Sequence, residues 1–350
     1  MESWNGKSWN GPIGRRTLLQ GGAAALGGAA LATAPLSPTF AQAFPSENLK
    51  VMVATREGGG ADRNLRALWS VWKKYLKTEM EASFYPGGAG RVGYEKYMGI
   101  AKPDCYTLLF GNMGPEVLNW VVQPPAGFKF PGDYVYFNRV DVDPSCIFVD
   151  AKKSPFKTID DIVAEGKKRT LNVAVSRIAH PTSLGILAIG RQTGAKFNLV
   201  PLSGGRNTYA GVSSGEMDIG ALPLSGVAAR HTTFRTVLVF DDEPYSKALT
   251  EQVYDAPRAN KHFGMKLPDL HSARAFAIKT EAIEKHPDRF KTLVDTAAKV
   301  FKDPEFKVTI EKTKAPWELV RYGDREQCAK YVKEIVAIGE EYKDLIKGKA

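Results

Sequence analysis

The chain has 350 residues, of which 43% are hydrophobic and 25% charged, with a formal net charge of +10. That length buries a large core without covalent staples. The three cysteines, Cys105, Cys146 and Cys328, are an odd number without CxxC spacing, so redox and metal roles are not indicated. Nor does the charge read as nucleic-acid binding: Lys and Arg are spread among acidic residues, with no basic block and no aromatic–basic interleaving. It reads instead as a general field that favours anions.

In chain order, the first feature is an export signal. Polar residues 1–13 lead to Arg15-Arg16-Thr17-Leu18-Leu19, then to an uncharged Ala/Gly-rich run from Gly21 to Ala34, and then to Ala41-Gln42-Ala43. A positive region, a short apolar core and an A-x-A site form the layout that export peptidases cut. The run is shorter than the ~20 apolar residues a membrane span needs. The paired arginines resemble the twin-arginine type, which exports folded proteins. Residues 1–43 are therefore expected to be removed, leaving Phe44 first, with a retained anchor as the alternative. Loss of Lys7, Arg15, Arg16 and Glu2 takes the charge from +10 to +8. No later segment is long and apolar enough to span a bilayer, so the mature chain is expected to be soluble.

Strands and helices then alternate. Leu49–Ala54 reads as a strand, and a helix over 62–78 carries an apolar stripe of Leu65, Leu68, Trp69, Trp72, Tyr75 and Leu76 at three- and four-residue steps. Ser83–Tyr85, helix 91–101 and strand Tyr106–Phe110 follow. Beyond the Pro-rich loop 123–132 come strands Tyr134–Val140 and Cys146–Val149. The middle third repeats the pattern: helix 158–168 with Thr158 as N-cap, strand Leu171–Ser176, helix Thr182–Gln192, strand Phe197–Leu202, helix Asn207–Ser213, and strands Asp218–Leu222 and Thr236–Phe240. The last third has one strand, Ala273–Lys279, and then helices only: 287–301, 305–312 and 324–338, the last with Gly339 as its cap. This alternation predicts an α/β fold with two mostly parallel sheets flanked by helices. It divides into a first lobe (44–146 and 240–350) and a second (147–239), with crossings near 140–150 and 235–245.

Two strand-to-helix turns carry the candidate site. In the first, Thr55 to Asp62, the run Gly58-Gly59-Gly60 lets the backbone approach a ligand closely, just before a helix start whose N–H groups favour an anion. The turn is neither a P-loop nor a dinucleotide fingerprint, and a bare turn is the competing reading. In the second, Ser176 to Ser183, the hydroxyls of Ser176, Thr182 and Ser183 lie about a helix start that Pro181 opens. Arg56 and Arg177 are candidates for pairing with a carboxylate, or else solvated loop residues. His180 is a donor to an anion or a packing histidine. Ligands sit at the carboxyl ends of parallel strands, so Gly111 to Gly114 (with Asn112 and Met113), Ser203-Gly204-Gly205 and Pro223-Leu224-Ser225 join the candidates. The five histidines lack metal-site spacing and there is no G-x-S-x-G elbow. A Ser183–His180 nucleophile–base pair would need a third orienting group.

At these residues the sequence resembles the periplasmic receptors of tripartite tricarboxylate transporters, the Bug or TctC-like family, over essentially the whole mature chain. Gly58-Gly59-Gly60-Ala61-Asp62 is similar to that family's G-G-G-[TAS]-D turn, and Pro86 to Gly90 to its P-G-A-G-G segment. Pro103 to Leu109 is similar to P-D-G-Y-T-L-L with Cys105 for Gly, Ser214 to Asp218 to G-G-x-[VI]-D, and Asp303-Pro304-Glu305 to a late D-P-E. The resemblance implies a two-lobed type II periplasmic binding fold and no enzymatic activity. It implies a small carboxylate (a di- or tricarboxylate, or an aromatic acid) held between the lobes at Gly58 to Asp62, Asn112-Met113 and Ser176 to Ser183. It also implies membrane transporter subunits as partners, a monomer, and neither cofactor nor metal. The sequence departs from the family at Arg56, Glu57, Arg177, Ile178, His180 and Ser183, which alters pocket size and charge. The rival readings are a periplasmic hydrolase using Ser183 and His180, and a ligand-presenting subunit for a membrane histidine kinase.

Overall fold

The computed structural model of the protein describes residues 43–348. The paired arginines, the apolar run and all of the expected export segment except Ala43 lie outside the described residues. Among the described residues no helix is long and apolar enough to cross a membrane.

The chain begins with β1 (Leu49–Val53), α1 (Gly60–Leu76), β2 (Met80–Phe84), α2 (Arg91–Ile100), β3 (Thr107–Asn112), α3 (Met113–Val122) and β4 (Tyr134–Asp141). It crosses to β5 (Ser145–Asp150), α4 (Ile159–Lys168), β6 (Leu171–Val175), α5 (Pro181–Thr193), β7 (Phe197–Pro201), α6 (Gly205–Ser214), β8 (Ile219–Pro223), α7 (Leu224–Ala228) and β9 (Phe234–Val239). Two short helices follow, α8 (Lys247–Gln252) and α9 (Ala259–Phe263). The chain then returns through β10 (Arg274–Lys279), α10 (Thr280–Lys285), α11 (Pro287–Val300), α12 (Pro304–Lys312), β11 (Val320–Gly323), α13 (Arg325–Glu341) and α14 (Lys343–Ile346).

Two sheets result. The first has the order β11-β4-β10-β3-β1-β2 and the second β7-β6-β8-β5-β9. In the first, β1 runs parallel to β2 and β3, while β10 is antiparallel to β3 and β4. In the second, β6 runs parallel to β7 and β8, and β5 is antiparallel to β8 and β9. This is the mixed α/β, two-sheet architecture that the strand–helix alternation predicts.

Local chemistry explains the main elements. Alternation along β1 sends Val51 and Val53 to one apolar cluster and Met52 to another on the opposite face. In α1 the residues Leu65, Leu68, Trp69, Trp72 and Leu76 are buried against the first sheet, and the helix stops where Lys77 turns left-handed at φ 57°. Helix α4 starts at a reciprocal cap: Thr158 accepts from the Asp161 N–H, while the Asp161 side chain accepts from the Thr158 N–H. Pro181 opens α5 and Gly194 (φ 78°) closes it.

Three expectations are corrected. Residues 113–122, unassigned in the sequence reading, form α3, with Pro115 in the first turn where a missing N–H costs nothing. The last third holds a second strand, β11, paired with β4. Gly339 is no cap: α13 runs through it to Glu341, and a Cβ there would lie 2.8 Å from Leu118 Cδ2, so glycine lets α13 pack closely on α3.

One apolar cluster packs the outer face of the first sheet under α1, α11 and α12. Another lies on the far face of the second sheet. The largest joins the two halves, running from Met52, Leu109 and Val117 through Tyr331 and Ile335 to Val173, Leu184 and Ile219. Helix α5 of the second half thus touches α3 and α14 of the first, and Arg191 pairs with Glu341 at 2.8 Å.

Candidate functional site

Each parallel strand ends at a helix start, so α1, α3, α5 and α6 all begin at carboxyl ends of strands. The first N–H groups of a helix have no intrahelical acceptor and carry the positive end of its dipole, which suits an anion. The starts of α3 and α5 meet directly: a Cβ on Gly114 would come 2.9 Å from Pro181 Cγ and 2.5 Å from the His271 carbonyl oxygen. The candidate turns of the two halves therefore face each other.

In the first turn, Gly58 takes φ +73° and its N–H donates to Asp62 Oδ2 at 2.8 Å. Asp62 Oδ1 accepts from Arg66 Nε at 2.7 Å, and Arg63 Nη1 donates to the Gly58 carbonyl at 3.0 Å. Asp62 thus closes its own turn. Arg56 is exposed, and the buried Thr55 hydroxyl has no partner among the described residues. The guanidinium under this turn belongs to Arg274, which the sequence reading missed: a Cβ on Gly60 would sit 3.4 Å from Arg274 Nη2. Gly59 and Gly60 keep side chains out of the space between strand end and helix start.

Arg274 anchors a buried polar network between the halves. Its guanidinium pairs with Asp141, and with Asp143 at 3.0 Å, while its N–H donates to Asp141 Oδ1 at 2.8 Å. Asn64 of α1 donates to Asp141 Oδ2 at 2.6 Å. From the second half, Ser225 donates to Asp143 both its N–H, at 2.8 Å, and its hydroxyl. The expected site hydroxyl of Ser225 is therefore engaged by Asp143. Burial pushes the Asp141 carboxyl upward, against the pull of Arg274.

In the second turn His180 is the N-cap of α5. Its Nδ1 accepts from the Thr182 N–H at 3.0 Å and lies 2.7 Å from the Thr182 hydroxyl, which in turn lies 2.9 Å from Ser145 Oγ. Burial, reinforced by Arg177, holds the imidazole well below its usual range, so it is neutral. The fully buried Ser183 hydroxyl donates to the Arg177 carbonyl at 3.1 Å. Ser183 and His180 Nδ1 thus bond to different groups. Ser176 accepts the Gly204 N–H on its carbonyl at 3.2 Å, and Ser203 adopts φ 54° beside Gly204 just before α6. Asn112 precedes α3 without a side-chain cap, and Met113 is buried with its N–H on the Ala273 carbonyl at 2.7 Å.

One contact that joins the two halves is one the sequence did not reveal. Arg177 Nη1 lies 3.7 Å from Oε1 of Glu116, in the first turn of α3. Glu116 is fully buried, and neither carboxyl oxygen has a hydrogen-bond partner among the described residues. Burial pushes its carboxyl up to about 8, with Arg177 opposing. The group is seated against Gly90 (φ +106°), where a Cβ would fall 2.4 Å from Oε1, so only glycine fits. The available signal was the apolar spacing of Val117, Leu118, Trp120 and Val121, which marks a helix and makes Glu116 an acid in its first turn.

No protein-family model matches this sequence, and no curated protein matches it. Solved structures do. A TctC solute-binding protein from Polaromonas shares 19% identity at a TM-score of 0.66, over 87% of this chain and 99% of that one. MatC from Rhodopseudomonas palustris, solved with bound malate, shares 17% identity at a TM-score of 0.68, over 85% and 99%. Another R. palustris protein, solved with adipate, shares 16% identity at a TM-score of 0.69, over 87% and 98%. At these identities the likeness is one of fold, and it agrees with the motifs: the chain has the periplasmic binding protein fold of the TctC and Bug solute-binding proteins.

Proposed function

We propose that the protein is a periplasmic receptor that captures a small carboxylate between its two halves and delivers it to the membrane subunits of a tripartite tricarboxylate transporter. The observation that carries this reading is the convergence of helix starts from both sheets on one interface, a geometry that stabilises an anion without a cofactor. Neighbours of the same fold solved with malate and adipate support a carboxylate as the ligand class. A hydrolytic reading finds less support, because the Ser183 hydroxyl donates to a backbone carbonyl rather than to His180.

A thermal-shift screen of mono-, di- and aromatic carboxylates, including malate and adipate, tests the ligand class. A ligand at 100 times its dissociation constant stabilises by roughly 2.7 kcal/mol, and small-angle scattering then shows a smaller radius of gyration as the halves close. Silence across the whole panel sinks the carboxylate reading. Export is tested separately. The mature protein is expected to begin at Phe44, and changing Arg15 and Arg16 to lysine traps precursor in the cytoplasm. Normal processing of that variant points to the general secretory route.

A further inference from the structure

Two arginines flank the interface in positions suited to an anionic ligand, and both already face carboxyl groups of the protein. Arg274 has Asp141 and Asp143. Both carboxylates of that network also take hydrogen bonds from Asn64, Ser225 and backbone, and Arg274 Nε alone lacks a partner among the described residues, so it reads as framework. The Arg177 arrangement differs. Its carboxyl partner comes from the opposite half, lies 3.7 Å away, is fully buried, and among the described residues has no hydrogen bond of normal geometry on either oxygen. Burying a carboxyl group without hydrogen bonds is costly. A framework residue at that position would be an apolar one or one with its donors supplied.

We propose that Glu116 is a specificity-determining residue of the cleft, one that competes with a ligand carboxylate for the guanidinium of Arg177. The proposal rests on the carboxylate reading above. The first carboxylate of a ligand is held by backbone at the helix starts. A second carboxylate, reaching towards the second turn, meets Arg177 already faced by Glu116. An ionised Glu116 repels it and occupies its counter-ion. A protonated Glu116 leaves the guanidinium's charge to the ligand and can itself donate a hydrogen bond to it. The cleft is thereby selective between mono- and dicarboxylates, and the selection depends on proton concentration.

The sign follows from burial, which raises the Glu116 carboxyl to about 8. Below that pH the group is neutral and dicarboxylates are admitted; above it the group is charged and they are disfavoured. The ligand's own carboxyls, titrating near 4, stay ionised throughout. The other titratable groups that feel Glu116 are Tyr94 of α2 and Tyr134 and Tyr136 of β4, whose phenols burial pushes upward. His180, beside Arg177, is held neutral. None of them titrates between pH 6.5 and 9.

Calorimetry with adipate and with hexanoate, acids of equal chain length that differ by one carboxylate, tests the proposal on wild type, Glu116→Gln and Arg177→Met. Glu116→Gln keeps the shape and removes the charge. The expected result is that wild type loses adipate affinity about tenfold from pH 6.5 to 9, equivalent to one pH unit of linkage. Glu116→Gln holds the higher affinity at both pH values, hexanoate stays within about twofold in all cases, and Arg177→Met abolishes the gain. If Glu116→Gln discriminates between the two acids as wild type does at both pH values, the proposal is overturned. It is overturned equally if the gain survives Arg177→Met. If neither acid binds any form, the carboxylate reading itself has failed. The Glu116–Arg177 pair is then decided by a ligand-free double-mutant cycle of unfolding at pH 9: coupling of fivefold or more in the equilibrium constant upholds Glu116 as the group that commands Arg177, and coupling below twofold removes it.

Discussion

Replacing Arg274 with methionine is expected to lower the free energy of unfolding by about 3–5 kcal/mol, because it strands two buried carboxylates. Asp141 and Asp143 are 3% and 1% exposed, and among the described residues it is Arg274 whose guanidinium pairs with both of them. Methionine matches the stem of arginine but leaves the carboxylates facing each other in a medium that solvates charge poorly. Urea denaturation at pH 7.5 reads the loss directly. The loss should shrink at pH 5, because burial raises the Asp141 carboxyl and without Arg274 it takes up a proton more readily. A loss below about 1 kcal/mol at pH 7.5 would show that solvent reaches the network and that it does not hold the halves. The same variant should weaken ligand binding beyond its effect on stability, since Arg274 lies under Gly60 and, through Asp143, holds Ser225 of the other half.

Trp72→Ala is expected to cost about 3–5 kcal/mol, the range for deleting a large buried aromatic. Trp72 is fully buried, crosses Phe276 and Trp69 edge-on at centroid distances of 5.2 Å, and donates its indole N–H to Thr296 Oγ1 at 2.9 Å. Its loss opens a cavity between α1, β10 and α11 and leaves the Thr296 hydroxyl without that donor. Trp72→Phe, which keeps most of the apolar volume, should cost clearly less, and guanidinium titrations of the pair separate packing from the hydrogen bond. Equal losses would mean that the hydrogen bond, not the volume, dominates this contact.

How much the sequence disclosed follows from the range of each interaction. The stripe of α1, the N-cap at Thr158 and the opening of α5 at Pro181 are short-range signals within one element, and they read correctly. Helix α3 went unread because Gly114 and Pro115 look like a turn, although both are tolerated in a first turn and Gly114 is required by the approach of His271 and Pro181. β11 has four residues, too few for alternation to register. The glycine and hydroxyl turns were legible as places, because strand-to-helix grammar puts them there. What their side chains do was not. Ser225 is claimed by Asp143, Asp62 by its own turn, and Ser183 by a carbonyl. Arg274 meets Asp141 across 133 positions of sequence. Pairings over that separation leave no local trace, so the charged centre of the interface was invisible until the fold brought it together.

The strand order has a consequence for how the chain is made. β10 lies between β3 and β4 in the first sheet, yet it is synthesised after all of the second sheet. A nascent chain that has emerged only as far as Phe263 holds every strand of the second half but leaves β3 and β4 with bare inner edges facing one another. Unpaired edges of that kind are templates for association with other chains, and the loop that must close to fill the gap spans the entire second half. The second half is therefore free to fold first, while the first stays open until residues 274–279 slot into its centre and lock both neighbours at once. A ribosome that stalls or releases the chain in the 240–273 segment would produce a half-folded, adhesive product, whereas a break after β11 would leave both sheets complete.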